Sequence, residues 1–196
     1  MKKAEYKNAV QNRKKITSTY LEFLVKKEKF TVIDVVKGAG VNRGTFYLHF
    51  KNLDDVGRYI EEELAENFKE LEIDFRQSEI DKTPEVMLDK LNNILSKDIE
   101  YYKLIINASE KTNLMDRIKK SILKSISNNF KVMKYVTNYE NFKVVVQYIV
   151  GGVLTSYTEW FKGNIDMSLK EMGVTLSNMI RQGLKGIIKY NASEYY

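Results

Sequence analysis

One proline, Pro84, stands in 196 residues, and its isolation narrows the fold more than any other feature of the sequence. A sheet protein needs short runs of period-two alternation bounded by turn residues, and such runs are missing. Apolar residues recur instead at spacings of three and four, the signature of one face of a helix. Ile16, Tyr20, Phe23 and Leu24 form one stripe; Leu53, Val56, Ile60, Leu64, Phe68, Leu71 and Phe75 form a longer one. After a polar connection over 78–83, Thr83-Pro84 places proline at the first position of a new helix, where its missing N–H costs nothing. Leu88, Leu91 and Leu95 follow, then a break at Ser96-Lys97-Asp98, then Ile99, Tyr102, Ile105 and Ile106. Leu114 to Phe130 gives a further stripe. The segment from Tyr139 to Phe161 is apolar on more than one face, which predicts burial on both sides. Gly163-Asn164 ends it, and a last helix runs from Ser168 to about Tyr190. The prediction is an all-α protein of about nine helices. A head over 1–52 leads into a connecting helix over 53–77 and a C-terminal helical domain over 78–196.

Within the head, Thr31 to Asn52 reads as two short helices about a glycine-containing turn, the motif proper covering 31–50. Thr31 suits an N-cap, its side-chain oxygen accepting from a free backbone N–H of the first turn. Val32, Val35 and Val36 make one apolar face. Gly38-Ala39-Gly40 stops the helix, since glycine tolerates positive φ. Asn42 suits the next cap, and Phe46 and Phe50 lie four apart, placed to plug a small core. The opposite face carries Asn42, Arg43, Gly44, Thr45, Tyr47 and His49, all small or hydrogen-bonding. This is the pattern of a helix-turn-helix, whose second helix presents its N-terminal residues to the major groove. Asn52 and Asp55 have capping-box spacing for the helix that follows.

Charge is unevenly spread. Residues 1–52 hold 12 Lys/Arg against 4 Asp/Glu, a net +8, whereas 53–196 hold 20 against 22, a net −2. The positive excess of the chain therefore sits with the helix-turn-helix, where a phosphate backbone is the natural partner through counterion release. Residues 2–15 read either as the first turns of helix one or as a basic arm along the duplex.

These residues resemble the TetR-like (TetR/AcrR) transcriptional regulators. The matching positions are Thr31-Val32, Ala39-Gly40-Val41, Gly44-Thr45-Phe46-Tyr47 and His49-Phe50-Lys51-Asn52. The resemblance implies a DNA-binding set of Thr31, Asn42, Arg43, Gly44, Thr45, Tyr47, His49 and Lys51, with Tyr47 and His49 on phosphates. Arg43 stays open between a guanine edge and a phosphate. Two positions depart from the pattern: Leu53 stands where a phosphate-holding lysine is frequent, and Val36 where alanine is frequent. The stretch Tyr148 to Gly163, followed by a helix through Leu176 to Gly183, is similar to the Firmicutes-type C-terminal domain of TetR-like regulators. In that group the last two long helices pair with those of a second subunit, which implies a seam at Gly151, Gly152, Trp160, Met179 and Gly183. Independently, each mid-helix glycine costs about 1 kcal/mol relative to alanine. Compensation by close backbone approach is expected at Gly151-Gly152, within one chain or across a dimer.

Aromatic and methionine residues of the C-terminal part, Tyr101, Tyr102, Met115, Met133, Tyr148 and Tyr157 among them, fit either a small-molecule effector pocket or an aromatic helical core. With no cysteine, no thiolate nucleophile or thiolate metal site can be assembled, and the one histidine, His49, lies in the helix-turn-helix and leaves no multi-histidine metal site. Glu61, Glu62 and Glu63 read as solvated charge. No cofactor and no enzymatic activity are expected. The longest apolar run, Val144 to Tyr157, is interrupted by Gln147 and falls short of the roughly 20 residues a membrane span needs. No secretory signal is visible, and a cytoplasmic location is expected. The reading is a dimeric, ligand-responsive regulator, a repressor on a palindromic operator. Its rivals are an activator or co-regulator with a protein partner at the C-terminal domain, and a helical interaction module without DNA binding, for which Leu53 speaks.

Overall fold

The computed structural model describes residues 2–26, 29–69, 83–109, 114–128 and 139–185. Among them nine helices and no strand occur: α1 (Lys2–Lys26), α2 (Val32–Gly38), α3 (Arg43–His49), α4 (Leu53–Lys69), α5 (Thr83–Ser96), α6 (Ile99–Ser109), α7 (Leu114–Asn128), α8 (Tyr139–Phe161) and α9 (Leu169–Lys185). The all-α prediction holds, and α8 begins and ends where periodicity and Gly163 put it. Residues 2–15 belong to α1 rather than to a separate arm. The predicted continuations of α4 to Gln77, α7 to Phe130 and α9 to Tyr190 lie outside the described residues, as does Met133. No described helix is long and apolar enough to cross a membrane.

The chain divides into two compact units, Met1–Leu64 with Ile99–Arg117, and Ala65–Asp98 with Ile118–Tyr196, so the divisions fall inside α4 and α7. In the first unit α1 packs against α2, α3 and α6. Ile16, Leu21, Val35, Phe46, Val56 and Ile60 are buried at its centre. Phe46 is fully buried, a burial that stabilises by about 1.5–3 kcal/mol. Phe30 closes the α1–α2 link by ring contacts to Tyr20 and Phe23, centroids 5.6 Å away in each case. Gly57 on α4 admits the Tyr20 hydroxyl, which would lie 3.2 Å from a Cβ there.

In the second unit α9 packs on α5 and α8. Leu88, Ile94, Phe142, Tyr157, Phe161 and Met172 form the core. The close approach of α9 to α5 rests on Gly173, where a Cβ would lie 2.6 Å from Asn92 Nδ2. Asn92 ties three elements together: its Nδ2 donates to the Leu169 carbonyl (2.8 Å) and its Oδ1 accepts from the Tyr157 hydroxyl (2.6 Å). α8 buries Phe142, Val150, Tyr157 and Phe161, but Val144 and Tyr148 remain exposed. Among the described residues, the predicted burial of α8 on both sides is thus met on one side only. At its C-terminus Gly163 adopts φ 81°, with Gly163 N donating to Trp160 O and Asn164 N to Glu159 O. That pair of bonds is a Schellman stop.

Candidate nucleic-acid interface

The motif is built from local hydrogen bonds. Thr31 closes a reciprocal capping box on α2: its Oγ1 accepts from Asp34 N (3.4 Å), and Asp34 Oδ2 accepts from Thr31 N (2.9 Å). The other end of α2 is a second Schellman stop. Gly40 N donates to Lys37 O and Val41 N to Val36 O, with Gly40 at φ 62°. Gly38 has a different job from Gly40. A Cβ there would meet Thr19 Cγ2 at 2.7 Å, so its absence lets α2 lie close on α1. Asn42 caps α3, its Oδ1 accepting from Thr45 N at 2.7 Å.

α3 has two faces. Phe46 and Phe50 are buried, and Phe50 meets the Tyr59 ring edge-on at 5.5 Å. Asn42, Arg43, Gly44 and Tyr47 are exposed, Thr45 and His49 half-buried, and Lys51 exposed just beyond. The loop carrying Lys51 is anchored through Asp55, whose Oδ2 accepts from Lys51 N and whose Oδ1 pairs with Arg58 Nη2, both at 2.9 Å. These contacts hold the Asp55 carboxyl below its ordinary range, the Lys51 N–H contributing most. The predicted Asn52–Asp55 box is therefore half realised. Asp55 N does donate to Asn52 Oδ1 (2.9 Å), but the return bond goes to the N–H of Lys51. Burial and then the nearby Arg13 push the His49 imidazole below its ordinary 6.5, and its Nε2 is buried without a hydrogen-bond partner among the described residues. Arg13 itself lies over the Tyr59 ring, 5.9 Å from the centroid, joining α1 to α4 behind the motif.

The residues predicted for an effector pocket are divided between the two units. Tyr101, Tyr102 and Met115 belong to the first unit, Tyr148 and Tyr157 to the second. Tyr101 and Tyr102 are buried and stack edge-on at 6.2 Å, and the Tyr101 hydroxyl donates to Glu63 Oε2 (2.9 Å). Burial raises both Tyr101 and Tyr157 well above the usual phenol range. Tyr148 is 75% exposed. Of the seam residues, Gly152, Met179 and Gly183 are exposed, Gly151 and Trp160 half-buried, with the Trp160 indole N–H donating to Met167 O at 2.7 Å. Apart from the flanking residues and the helix's own backbone, no described atom lies within 4 Å of a Cβ built on Gly152 or Gly183.

The acidic run on α4 departs from the solvated reading. Glu61 pairs with Arg117 at 2.6 Å and Glu63 accepts from Tyr101; only Glu62 is exposed. Neither Arg117 nor Asn92 carries a sequence signal for its role, because both partners are remote in the chain.

Against this geometry stand the comparisons with known proteins. The fold is similar to that of the fatty acid degradation regulator FadR from Bacillus halodurans, with TM-score 0.57, 14% identity, and 86% of this chain and 93% of that one covered. It is also similar to SmeT in its triclosan complex, with TM-score 0.61, 17% identity, and 92% and 93% covered. No curated protein matches the chain significantly in sequence. Residues 77–182, more than half of the chain, match the TetR-type family model described as the transcriptional regulator C-terminal region. With an all-α fold and a capped helix-turn-helix, the chain belongs to the TetR-like family of transcriptional regulators.

Proposed function

We propose that the protein is a dimeric, effector-responsive DNA-binding repressor that reads a palindromic operator with α3. The observation that carries this reading is the two-sidedness of α3. Phe46 and Phe50 seal one face into the core, while Asn42, Arg43, Gly44 and Tyr47 stand exposed on the other. That face belongs to the segment holding the positive excess of the sequence. Asn42, Arg43, Gly44 and Thr45 lie at the helix N-terminus, which meets base edges in this motif. Arg43 donates to a guanine edge, and Gly44 allows close approach. Thr31, Tyr47, His49 and Lys51 hold phosphates, which set register without reading sequence. Leu53 withholds one cation from that set, and Lys51, kept in place through Asp55, supplies the charge at the end of the motif.

Dimerisation follows from what α8 and α9 leave uncovered. Val144, Tyr148, Gly152 and Thr155 recur every three to four residues along α8, and all are exposed. Met179 and Gly183 make the matching exposed stripe on α9. Apolar side chains at helical spacing beside glycines with open space suit a second copy, and a two-fold dimer is the geometry that reads two half-sites. Effector binding is drawn from the likeness to SmeT, which was solved with triclosan, and is assigned to the C-terminal region. A regulator of this kind acts by binding rather than catalysis, in the cytoplasm with its DNA.

Selection from a random DNA pool by the purified protein tests the reading. The expected product is a palindrome, bound with an affinity that falls by about 10³–10⁵ between 50 and 200 mM salt if roughly 6–10 phosphates are engaged. A pool that returns no enriched sequence, or binding indifferent to salt, would refute it.

A further inference from the structure

Leu48 is 79% exposed, more than any other large hydrophobic side chain among the described residues. Single exposed leucines are ordinary on protein surfaces and need no explanation. The place of this one is what matters. It lies on α3, between Tyr47 and His49, one turn beyond Gly44 and on the same outward stripe. Gly44 adds no side chain to that stripe, and a Cβ built there would meet only the Oδ1 of its own cap, Asn42, at 3.3 Å. The outer surface of α3 is therefore low at Gly44 and raised at Leu48. Around it, Arg43, Thr45 and Tyr47 all carry hydrogen-bonding groups, so Leu48 is the one purely apolar knob on the exposed face of the helix.

We infer that Leu48 is a specificity residue reading the C5-methyl group of a thymine in each half-site. The inference rests on the proposal that α3 enters the major groove. There the edges of guanine, cytosine and adenine present donors and acceptors, while thymine adds a methyl group. A leucine can satisfy no donor or acceptor, and pressing it against one removes that group from water without compensation. Against a methyl group it gains by burying two apolar surfaces. The residue thus favours T·A over C·G at one position per half-site, in contrast to the phosphate contacts, which carry no sequence information.

Uracil is the direct probe, since it lacks the methyl group and keeps every hydrogen-bonding group of thymine. The operator obtained by selection is scanned with single thymine-to-uracil replacements and titrated with wild-type protein and with Leu48→Ala. At one thymine per half-site, wild-type affinity is expected to fall about fourfold, the worth of burying one methyl group at tenfold per roughly 1.4 kcal/mol. In Leu48→Ala that penalty disappears, while penalties elsewhere persist. Because Leu48 is exposed and alanine favours helix, the variant keeps its fold, which its circular dichroism checks. An identical uracil profile in the two proteins overturns the assignment of Leu48 alone and leaves DNA reading by α3 standing. Failure to select any operator overturns the DNA reading and this inference with it.

Discussion

Arg43 and Tyr47 lie one turn apart on the exposed face of α3, and the proposed reading gives them different tasks. A guanidinium can grip guanine O6 and N7 in a bidentate pair, whereas a phenol hydroxyl on a phosphate only positions. Arg43→Ala is expected to relax preference at one base pair per half-site, by about 1–3 kcal/mol. Tyr47→Phe should weaken binding to operator and random DNA alike. Uniform loss in Arg43→Ala, seen by parallel titration of both DNAs, would remove its base-reading role. His49 carries a pH dependence of definite sign. Its folded value lies below the ordinary 6.5 because burial and Arg13 disfavour the imidazolium. As pH falls, the unfolded chain takes up the proton first, so the contribution of His49 is intact above 6.5 and is lost as pH drops through the folded value. Urea denaturation between about pH 8 and 5 should show wild type losing stability relative to His49→Gln only on the acid side. Parallel curves would assign the acid sensitivity to other groups.

Among the elements, α2 is only seven residues long, and its box with Thr31 supplies its N-terminal hydrogen bonds. Thr31→Ala opens that box and should cost about 0.5–2 kcal/mol of stability by chemical denaturation. A cost near zero would mean that packing on α1 alone holds the helix. In the second unit the junction of α5, α8 and α9 depends on a single carboxamide. Tyr157→Phe leaves the buried Asn92 Oδ1 without the hydroxyl that donates to it, an expected loss of about 1–3 kcal/mol. The same substitution at exposed Tyr139, at the start of α8, serves as the control and should cost nothing measurable. If both behave alike, the junction contributes less than its burial implies.

For the whole molecule, the question is what covers the outer face of α8. Two heads reading one palindrome need a fixed separation, which a rigid seam provides. Gly152 costs α8 about 1 kcal/mol relative to alanine, and no described neighbour in the chain occupies the space it leaves. Gly152→Leu fills that space with a branched side chain. In a free chain its Cβ meets no described neighbour outside its own helix, so helical content should hold. Across a close-packed seam it overpacks, at about 1–3 kcal/mol. Light scattering should then show a shift toward monomer, and operator affinity should fall far more than affinity for random DNA. A variant that stays dimeric and binds its operator normally would move the seam elsewhere.

The sequence by itself determined what depends on neighbours a few residues away. The period of the apolar stripes set the helices, Thr31 and Asn42 set the caps of the motif, and Gly40 and Gly163 supplied the left-handed positions that stop α2 and α8. Each of these interactions closes within about five residues, so the residue types alone announce it. Only the tertiary structure decided the rest. It placed α6 against α1, separated Gly38 as a close-approach position from Gly40 as a turn position, and covered just one side of α8. It also found partners for polar groups that look solvated along the chain: Glu63 with Tyr101 across 38 residues, Asn92 with Tyr157 across 65, and Asn92 with Leu169 across 77. A carboxylate or a carboxamide has the same appearance in a sequence whether water or a remote hydroxyl satisfies it. The difference arises only when burial removes the water and packing supplies the partner.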